Sequence, residues 1–240
     1  MSPVSRMAQP EREEVSAATL RYLEAAYYLA GEGLPIRRAR LAQWLGISAP
    51  SVTEAVGRLI DEGLLQAGPG RLLQLTSEGQ DMAARVVRRH RIIEAWAVMS
   101  LGLDWVAADE EAQRLAPVVS ERVLDRMHQT IGRPSCCPHG NPIPGEPVPS
   151  SARCARRLVD LGAGERAEVV RISELAEHDA HDVLDEAYRA RLVPTTPITV
   201  VSVDDEGTMV LEVRGHRARV RSRVASAVWV TGSGSRRPAA

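Results

Sequence analysis

The region from residue 38 to residue 75 reads as helix, tight turn, helix and two short strands. Gly46 is expected to stop the first helix, and Ser48 is a favourable N-cap for the second. The turn at Gly68-Pro69-Gly70 is expected to join the two strands. The predicted elements are helices over Arg38–Leu45 and from Ser48 to about Asp61, and strands over Leu64–Gln66 and Leu72–Leu75. This order predicts a winged helix-turn-helix, preceded by an amphipathic helix over Ser16–Ala30.

A winged helix-turn-helix is suited to reading duplex DNA, with the second helix in the major groove and the wing on the backbone or minor groove. Small hydroxyl groups and a proline ring at the start of that helix could approach base edges closely, and arginines nearby could meet phosphates. The predicted DNA-binding residues are Ser48, Pro50, Ser51 and Thr53 for the bases and Arg37, Arg38, Arg58 and Arg71 for the phosphates. The alternative is a helix pair that contacts protein in an adaptor.

The rest of the chain predicts a mainly α protein with a small β domain. A long helix is expected over Ser77–Leu101, followed by helices over Asp104–Ala116 and Ser120–Ile131 that Pro117 separates. Five β-rich segments with one inserted helix, about Asp179–Ala190, describe a small SH3-like barrel. The expected units are a DNA-binding domain (1–76), a helical dimerisation and metal-binding domain (77–133), a Pro/Gly-rich linker (134–153), an SH3-like domain (154–232) and a disordered tail (233–240).

The charge distribution and the motifs of the sequence indicate which classes of function to expect. The net charge is −1, so the distribution of arginines rather than their total indicates a nucleic-acid partner. Three cysteines give no disulfide framework, and no apolar run reaches membrane-spanning length, which predicts a cytoplasmic protein with no membrane partner. No phosphate loop, nucleophile elbow or paired catalytic carboxylates are found, so neither an enzyme nor a small organic substrate is expected.

Three sequence runs add a family resemblance. The runs are RRHRIIEAW, then LGLDW with DEEAQRL and VVSERV, then CPHGNPIPG. Together with ARLAQWLGISAPSVTEAVGRLIDEGLL they resemble the diphtheria-toxin-repressor family of iron- and manganese-responsive repressors, from Tyr22 to Val230. The resemblance implies a homodimer on double-stranded operator DNA and a C-terminal domain similar to FeoA.

The resemblance also implies a divalent metal held between the helices. His90 and Glu94 lie one helical turn apart and match ligand positions, and Asp109 stands where relatives often have histidine. Glu177 matches an acidic ligand of the last domain, and Glu24 matches a carboxylate of manganese-type members. Imidazole and carboxylate ligands suit Mn²⁺ or Fe²⁺, with Zn²⁺ and Co²⁺ as further candidates.

The family's primary metal site departs from its pattern here. The fifth-helix donors are replaced by Gln113, Ala116 and Pro117, and the first-helix donor is replaced by Arg21. We therefore expect this primary site to be degraded. Two hypotheses follow: a remodelled site made by His90, Glu94, Asp109 and Glu177 still senses metal, or Arg21 stands in for the lost cation by pairing with a carboxylate such as Glu24. In the second case the protein binds DNA constitutively.

Cys136, Cys137 and His139, with Cys154 further along, also suggest a zinc site. Their spacing matches no common structural-zinc pattern, which uses pairs such as Cys-x-x-Cys. The run falls in the segment expected to be a linker. The sequence therefore favours a linker over a metal site at these residues.

Overall fold

The computed structural model describes residues 16–151, 155–174 and 181–232. Six helices precede the β domain in the described chain: α1 (Ala17–Gly31), α2 (Arg38–Leu45), α3 (Ala49–Asp61), α4 (Ser77–Leu101), α5 (Trp105–Leu115) and α6 (Glu121–Thr130). Strands β1 (Leu65–Ala67) and β2 (Leu73–Leu75) lie between α3 and α4. The predicted helices all form, and their ends follow the expected caps.

The first unit is a winged helix-turn-helix, as predicted. Gly46 ends α2 in the left-handed conformation (φ 64°), and the Ser48 side chain accepts a hydrogen bond from the backbone N–H of Ser51 at the start of α3. β1 and β2 pair antiparallel, and the N–H of Leu73 donates to the carbonyl of Ile36 (2.9 Å), which adds a third short segment to the wing. Apolar residues of α1, α2, α3 and the wing share one core with the first turns of α4.

The segment expected to be a linker packs between the helices and the β domain. Cys137, His139, Asn141 and Ile143 are buried. Gly140 permits the approach, because its φ is 85° and an added Cβ would lie 2.2 Å from the carbonyl oxygen of Val170. Arginines of α4 hold the segment through its carbonyls: Arg88 donates to Pro144 (2.7 Å), and Arg91 donates to Pro142.

The C-terminal unit is an antiparallel sheet of the SH3-like type, as predicted, but it has six strands, because a short strand at Arg156–Arg157 joins the five that the sequence predicts. Its strands are β3 (Arg156–Arg157), β4 (Arg166–Ile172), β5 (Pro197–Val203), β6 (Met209–Val213), β7 (His216–Val220) and β8 (Val228–Gly232), in the order β3-β8-β4-β5-β6-β7. Helix α7 (His181–Arg189) follows β4, and the short helix α8 (Ser222–Ala227), which the sequence did not predict, precedes β8. Their apolar faces pack into the sheet's core.

A buried carboxylate fixes the β domain to the winged helix. Glu32, directly after α1, has a side chain with no exposed surface and accepts from Arg171 (2.5 Å) and Arg157 (2.8 Å). It also accepts from the indole N–H of Trp229 (3.3 Å) and the backbone N–H of Glu174 (3.2 Å). Both guanidinium groups lie over the Trp229 ring. We call Glu32, Arg157, Arg171 and Trp229 the Glu32 clamp.

Several predictions fall on parts of the chain outside the described ranges. These are the metal ligand Glu177, the cysteine Cys154, the start of the last-domain helix at Asp179 and the tail from residue 233 to 240. Within the described ranges, no helix is both long and apolar enough to cross a membrane.

Candidate metal centre and nucleic-acid interface

Three predicted ligands come together where α4 packs on α5. His90 and Glu94 project from one face of α4, one turn apart, and both are buried. Nε2 of His90 donates to Oδ1 of Asp109 on α5 (3.1 Å), whose other oxygen accepts from Nε2 of Gln113 (2.8 Å). The potential ligand atoms of His90, Glu94 and Asp109 all lie within 4.8 Å of one another. We call these three residues the α4–α5 triad.

A second group shares Glu94 and was not favoured by the sequence. Cys137 and His139 bring their ligand atoms within 4.8 Å of each other and of a Glu94 oxygen, and all three residues are buried. Nδ1 of His139 lies 2.8 Å from Oε1 of Glu94 and 4.0 Å from Sγ of Cys137. The Trp105 ring packs edge-on against the His139 imidazole, with centroids 4.6 Å apart. We call Glu94, Cys137 and His139 the thiolate triad.

The sequence contains one sign of the thiolate triad, the closeness of Cys137 and His139, but their spacing alone does not identify a metal site. Cys137 and His139 are two residues apart, on either side of Pro138, and the turn at Gly140 brings both side chains toward α4. Their third partner, Glu94, lies more than forty positions earlier, so only the tertiary packing of the segment reveals the group. The preference for a plain linker at these residues overlooked this packing.

The electrostatics of the α4–α5 triad favour a positive charge. Burial alone would lower the pKa of His90, but its hydrogen bond to Asp109 and the negative charges of Glu94, Glu24 and Asp109 outweigh burial and raise the pKa to about 9. The imidazole is therefore protonated at neutral pH, and the buried acids hold a cation. A divalent metal ion would meet the same acids with a larger charge.

The residues present fit a divalent transition metal. Glu94 is fully buried, and its Oε2 has no hydrogen-bond donor among the described residues, which is costly for a carboxylate unless a cation meets it. Two imidazoles, two carboxylates and a thiol form a mixed nitrogen, oxygen and sulfur set. Such a set suits Fe²⁺, Mn²⁺, Co²⁺ or Zn²⁺ and is unlike the all-oxygen sets of Ca²⁺ and Mg²⁺.

The structure does not bring Glu24 or Arg21 into either triad. Glu24 is half-buried and accepts a hydrogen bond from the hydroxyl of Tyr28 (3.1 Å), and its ligand atoms belong to neither group. Arg21 is exposed and forms no ion pair with Glu24 or with any other carboxylate in residues 16–151, 155–174 and 181–232. The ion pair between Arg21 and Glu24 that one of the two hypotheses invoked is therefore not formed among the described residues.

The predicted base-reading residues lie at the exposed start of α3. Ser48, Pro50, Ser51 and Thr53 are all exposed. The hydroxyls of Ser48 and Ser51 lie 2.8 Å apart, and the hydroxyl of Thr53 donates to the carbonyl of Ala49 (2.9 Å). Each oxygen keeps acceptor capacity, so this surface can approach base edges without first breaking the helix caps.

The predicted phosphate-binding arginines divide into two groups. Arg37 and Arg71 are exposed near the wing, where Arg37 donates to the carbonyl of Gly70 (3.4 Å), and Arg38 beside them is half-buried. Arg58 lies near the far end of α3 and pairs with Glu54 (2.7 Å). Arg37 therefore contacts the wing, whereas Arg58 lies on α3 and lines a surface pocket together with Ser51.

This fold and these triads define a winged-helix regulator with a buried metal-ligand cluster, and comparison with known proteins gives its family. Residues 14–72 match the iron-dependent repressor N-terminal DNA-binding domain, residues 76–145 match the metal-binding and dimerisation domain of those repressors, and residues 156–232 match the FeoA domain. The iron-dependent repressor IdeR of Mycobacterium tuberculosis is 35% identical over 213 residues, covering 85% of this chain and 91% of its own. The diphtheria toxin repressor of Corynebacterium glutamicum is 31% identical over 221 residues, covering 87% and 93%. The chain belongs to the iron-dependent repressor family.

Solved structures agree with this assignment. A manganese-dependent transcriptional repressor in complex with manganese superimposes with a TM-score of 0.78 at 28% identity, over 89% of this chain and 99% of that one. The IdeR of T. acidophilum gives a TM-score of 0.73 at 25% identity, over 92% of this chain and 100% of that one. The three-part architecture is therefore shared along nearly the whole chain.

Proposed function

We propose that the chain is a cytoplasmic, iron- or manganese-dependent transcriptional repressor, not an enzyme, that binds operator DNA through its winged helix-turn-helix. The observation that carries the proposal is Glu94, a fully buried carboxylate common to two ligand triads, in a chain whose recognition helix is exposed. Family membership supports the same function. In this proposal residues 1–76 bind DNA, residues 77–133 bind metal and dimerise, and residues 154–232 form the FeoA-like unit joined through the segment 134–153.

DNA binding would use α3 in the major groove. The exposed hydroxyls of Ser48, Ser51 and Thr53 and the ring of Pro50 would face the bases. Arg37, Arg38 and Arg71 would meet phosphates on either side of the wing, which gives affinity without sequence choice. Arg58 would contribute less, because Glu54 already neutralises it.

A homodimer would place two recognition helices about one DNA turn (~34 Å) apart on a pseudo-palindromic operator. Four large apolar side chains are exposed between the end of α4 and α6: Met99, Leu101, Val118 and Val123. Exposed apolar side chains in one region of a chain are typical of a protein interface. This part of the chain lies in the region that matches the metal-binding and dimerisation domain.

Metal would be held by Glu94 with His90 and Asp109, with Cys137 and His139, or with ligands from both triads. When bound, the ion supplies the positive charge that the buried carboxylates require. Where His90 is a ligand, its proton would leave to solvent, and Glu94 would link α4 to α5 or to the segment around His139. Because α4 also packs on α1, the metal-loaded arrangement can differ in its affinity for DNA from the metal-free one.

The second candidate function is a repressor that binds DNA without sensing metal. It is a candidate because Arg21, Gln113, Ala116 and Pro117 occupy the positions of the family's primary metal donors. A chain that had lost metal sensing would bind DNA equally well with and without metal. The metal-titrated binding experiment that closes the Discussion separates the two functions.

Replacing Arg37 and Arg71 together by alanine tests the DNA-binding proposal. Each arginine removed should reduce the magnitude of the slope of log affinity against log salt concentration by about one. The reason is that a protein with one phosphate contact fewer releases fewer counterions when it binds. Affinity should fall for every duplex sequence alike, whereas Ser51→Ala should relax the choice of sequence. Fluorescence anisotropy with the chain's own upstream DNA, measured at several salt concentrations, gives both quantities.

The matched control is Arg122→Ala, which removes an exposed arginine on α6, away from the winged helix. It should leave both the affinity and the salt slope unchanged. Wild-type affinity in the double Arg37/Arg71 variant that also carries Ser51→Ala would favour an adaptor whose winged helix contacts protein.

Metal affinity should depend steeply on pH. His90, whose pKa is about 9, must lose a proton before it can bind a metal. For a metal held by the α4–α5 triad, the apparent dissociation constant should therefore fall about tenfold for each pH unit between 6.5 and 9, and should level off above 9. Isothermal titration with Mn²⁺ in buffers of different ionisation enthalpy measures the affinity and counts the released protons. His90→Gln should remove this dependence, and an affinity independent of pH in the wild type would contradict it.

A further inference from the structure

A cavity of about 370 Å³ lies between the winged helix and the helical domain, beside the α4–α5 triad. Its size falls within the range of small-molecule sites, which commonly occur where domains meet. The rings of Tyr28 and Trp44 form part of its wall, together with apolar side chains from four helices. With Trp44 of α2 and Tyr28 of α1 already named, the others are Ala17 and Leu20 of α1, Val86 of α4 and Ala116 with Pro117 at the end of α5.

Most charged groups around the cavity already have partners. Arg89 donates to Glu121 and to the carbonyls of Ala116 and Val119. Glu174 pairs with the buried Arg91, and Asp109 accepts from both His90 and Gln113. These groups neutralise one another, so they do not determine the charge of a ligand.

Arg21 and Glu24 differ from these groups in their contacts within the cavity. Arg21 forms no hydrogen bond or ion pair with the described residues. Glu24 accepts a hydrogen bond from the Tyr28 hydroxyl, and the cation that its charge acts on is the buried His90, which already interacts with Asp109 and Glu94. The two lie three positions apart on α1 and therefore share a face of the helix, yet they do not pair with each other. The same wall of the cavity thus offers one positive and one negative group side by side.

We propose that this cavity binds a small zwitterion, an α-amino acid with an apolar or aromatic side chain. Arg21 would receive the carboxylate in a bidentate contact, and Glu24 would accept hydrogen bonds from the ammonium group. The side chain would pack among Leu20, Val86 and the rings of Tyr28 and Trp44. A ligand with a single charge would engage only one of Arg21 and Glu24.

The position of the cavity gives such a ligand a role beyond metal sensing. Its walls come from α1 and α2 of the winged helix and from α4 and α5 of the helical domain. A bound molecule would contact both units and stabilise the arrangement in which they meet. The amino acid would act as a second effector, whose effect on DNA binding adds to that of the metal.

The test is titration of the full-length, chelator-treated protein with L-phenylalanine and L-leucine, followed by isothermal calorimetry and by the intrinsic tryptophan fluorescence, to which Trp44 contributes. Both amino acids should bind saturably at up to millimolar concentrations. 3-Phenylpropionate and 2-phenylethylamine, which each keep one charge, should bind roughly tenfold or more weakly. L-aspartate and L-lysine should not bind, because the apolar walls cannot satisfy a third charge.

Two variants test whether the amino acid binds in this cavity. Arg21→Gln and Glu24→Gln, at exposed and half-exposed positions, should each weaken phenylalanine binding roughly tenfold or more without changing the unfolding temperature. Arg122→Gln on α6 is the matched control and should bind as the wild type does. The proposal is overturned if neither amino acid binds, if a singly charged analogue binds as tightly as phenylalanine, or if both cavity variants keep wild-type affinity.

Discussion

Glu94→Gln is expected to abolish tight metal binding. Glutamine has the shape of glutamate but no negative charge, and Glu94 is the one residue common to the α4–α5 triad and the thiolate triad. Changes in outer-shell partners already cost metal sites roughly 10–100-fold in affinity, so loss of a shared ligand should cost more than about 100-fold. Competition between the protein and a fluorescent chelator for Mn²⁺ and Fe²⁺ measures the loss.

Two companion variants show which triad holds the metal. Asp109→Asn tests the α4–α5 triad and Cys137→Ser tests the thiolate triad, so loss in one variant alone assigns the ion to that group. Glu121→Gln is the control for charge, because Glu121 is exposed on α6 and belongs to neither group. Wild-type metal affinity in Glu94→Gln, with the fold intact by circular dichroism, would show that the buried carboxylate serves packing alone.

Glu32→Ala should give the largest loss of stability among the substitutions considered for this chain. It would leave Arg157 and Arg171, with side chains only 23% and 13% exposed, without the carboxylate that they share. Removing one partner of a buried ion pair costs about 3–5 kcal/mol. Urea denaturation should show this loss, and limited proteolysis should show earlier cleavage between the helices and the β domain.

The Glu32 clamp also predicts an acid limit to stability. Burial alone would raise the pKa of Glu32, but the guanidinium groups of Arg171 and Arg157 lower it below its usual value. The clamp is therefore complete above the unfolded pKa of glutamate and is lost as the pH falls through the lowered value. Glu165→Ala removes an exposed ion pair with Arg156 and a hydrogen bond from the backbone N–H of Gly162, and it should cost much less than Glu32→Ala. An equal loss in both variants would contradict a stabilising role for the clamp.

The sequence predicted the local structure well because its signals are local. Ser16, Ser48 and Asp104 cap α1, α3 and α5, and Gly46 and Gly102 end α2 and α4 in the left-handed conformation. The one-turn spacing of His90 and Glu94 likewise predicts a shared helix face. The six-residue helix α8 was missed, since its length is too short to show an apolar period.

Contacts between residues far apart in the sequence could not be predicted from these local signals. Glu32 meets Arg157 and Arg171 across more than a hundred positions, and nothing in its neighbourhood marks it as buried. The packing of Cys137 and His139 against Glu94 depends on the turn at Gly140 fitting under β4. The sequence shows that Arg21 and Pro117 replace metal donors of the family, whereas the cavity that these residues line is visible only in the fold.

The most direct test is duplex binding by the full-length protein to its own upstream region at fixed salt, first with chelator and then with titrated Mn²⁺ or Fe²⁺. A metal-dependent repressor should bind the duplex at least tenfold more tightly with metal, in line with coupling energies of about 1–3 kcal/mol between sites. Glu94→Gln should bind weakly under both conditions. Equal binding with and without metal in the wild-type protein would contradict metal sensing and would identify a repressor that acts constitutively or on another signal.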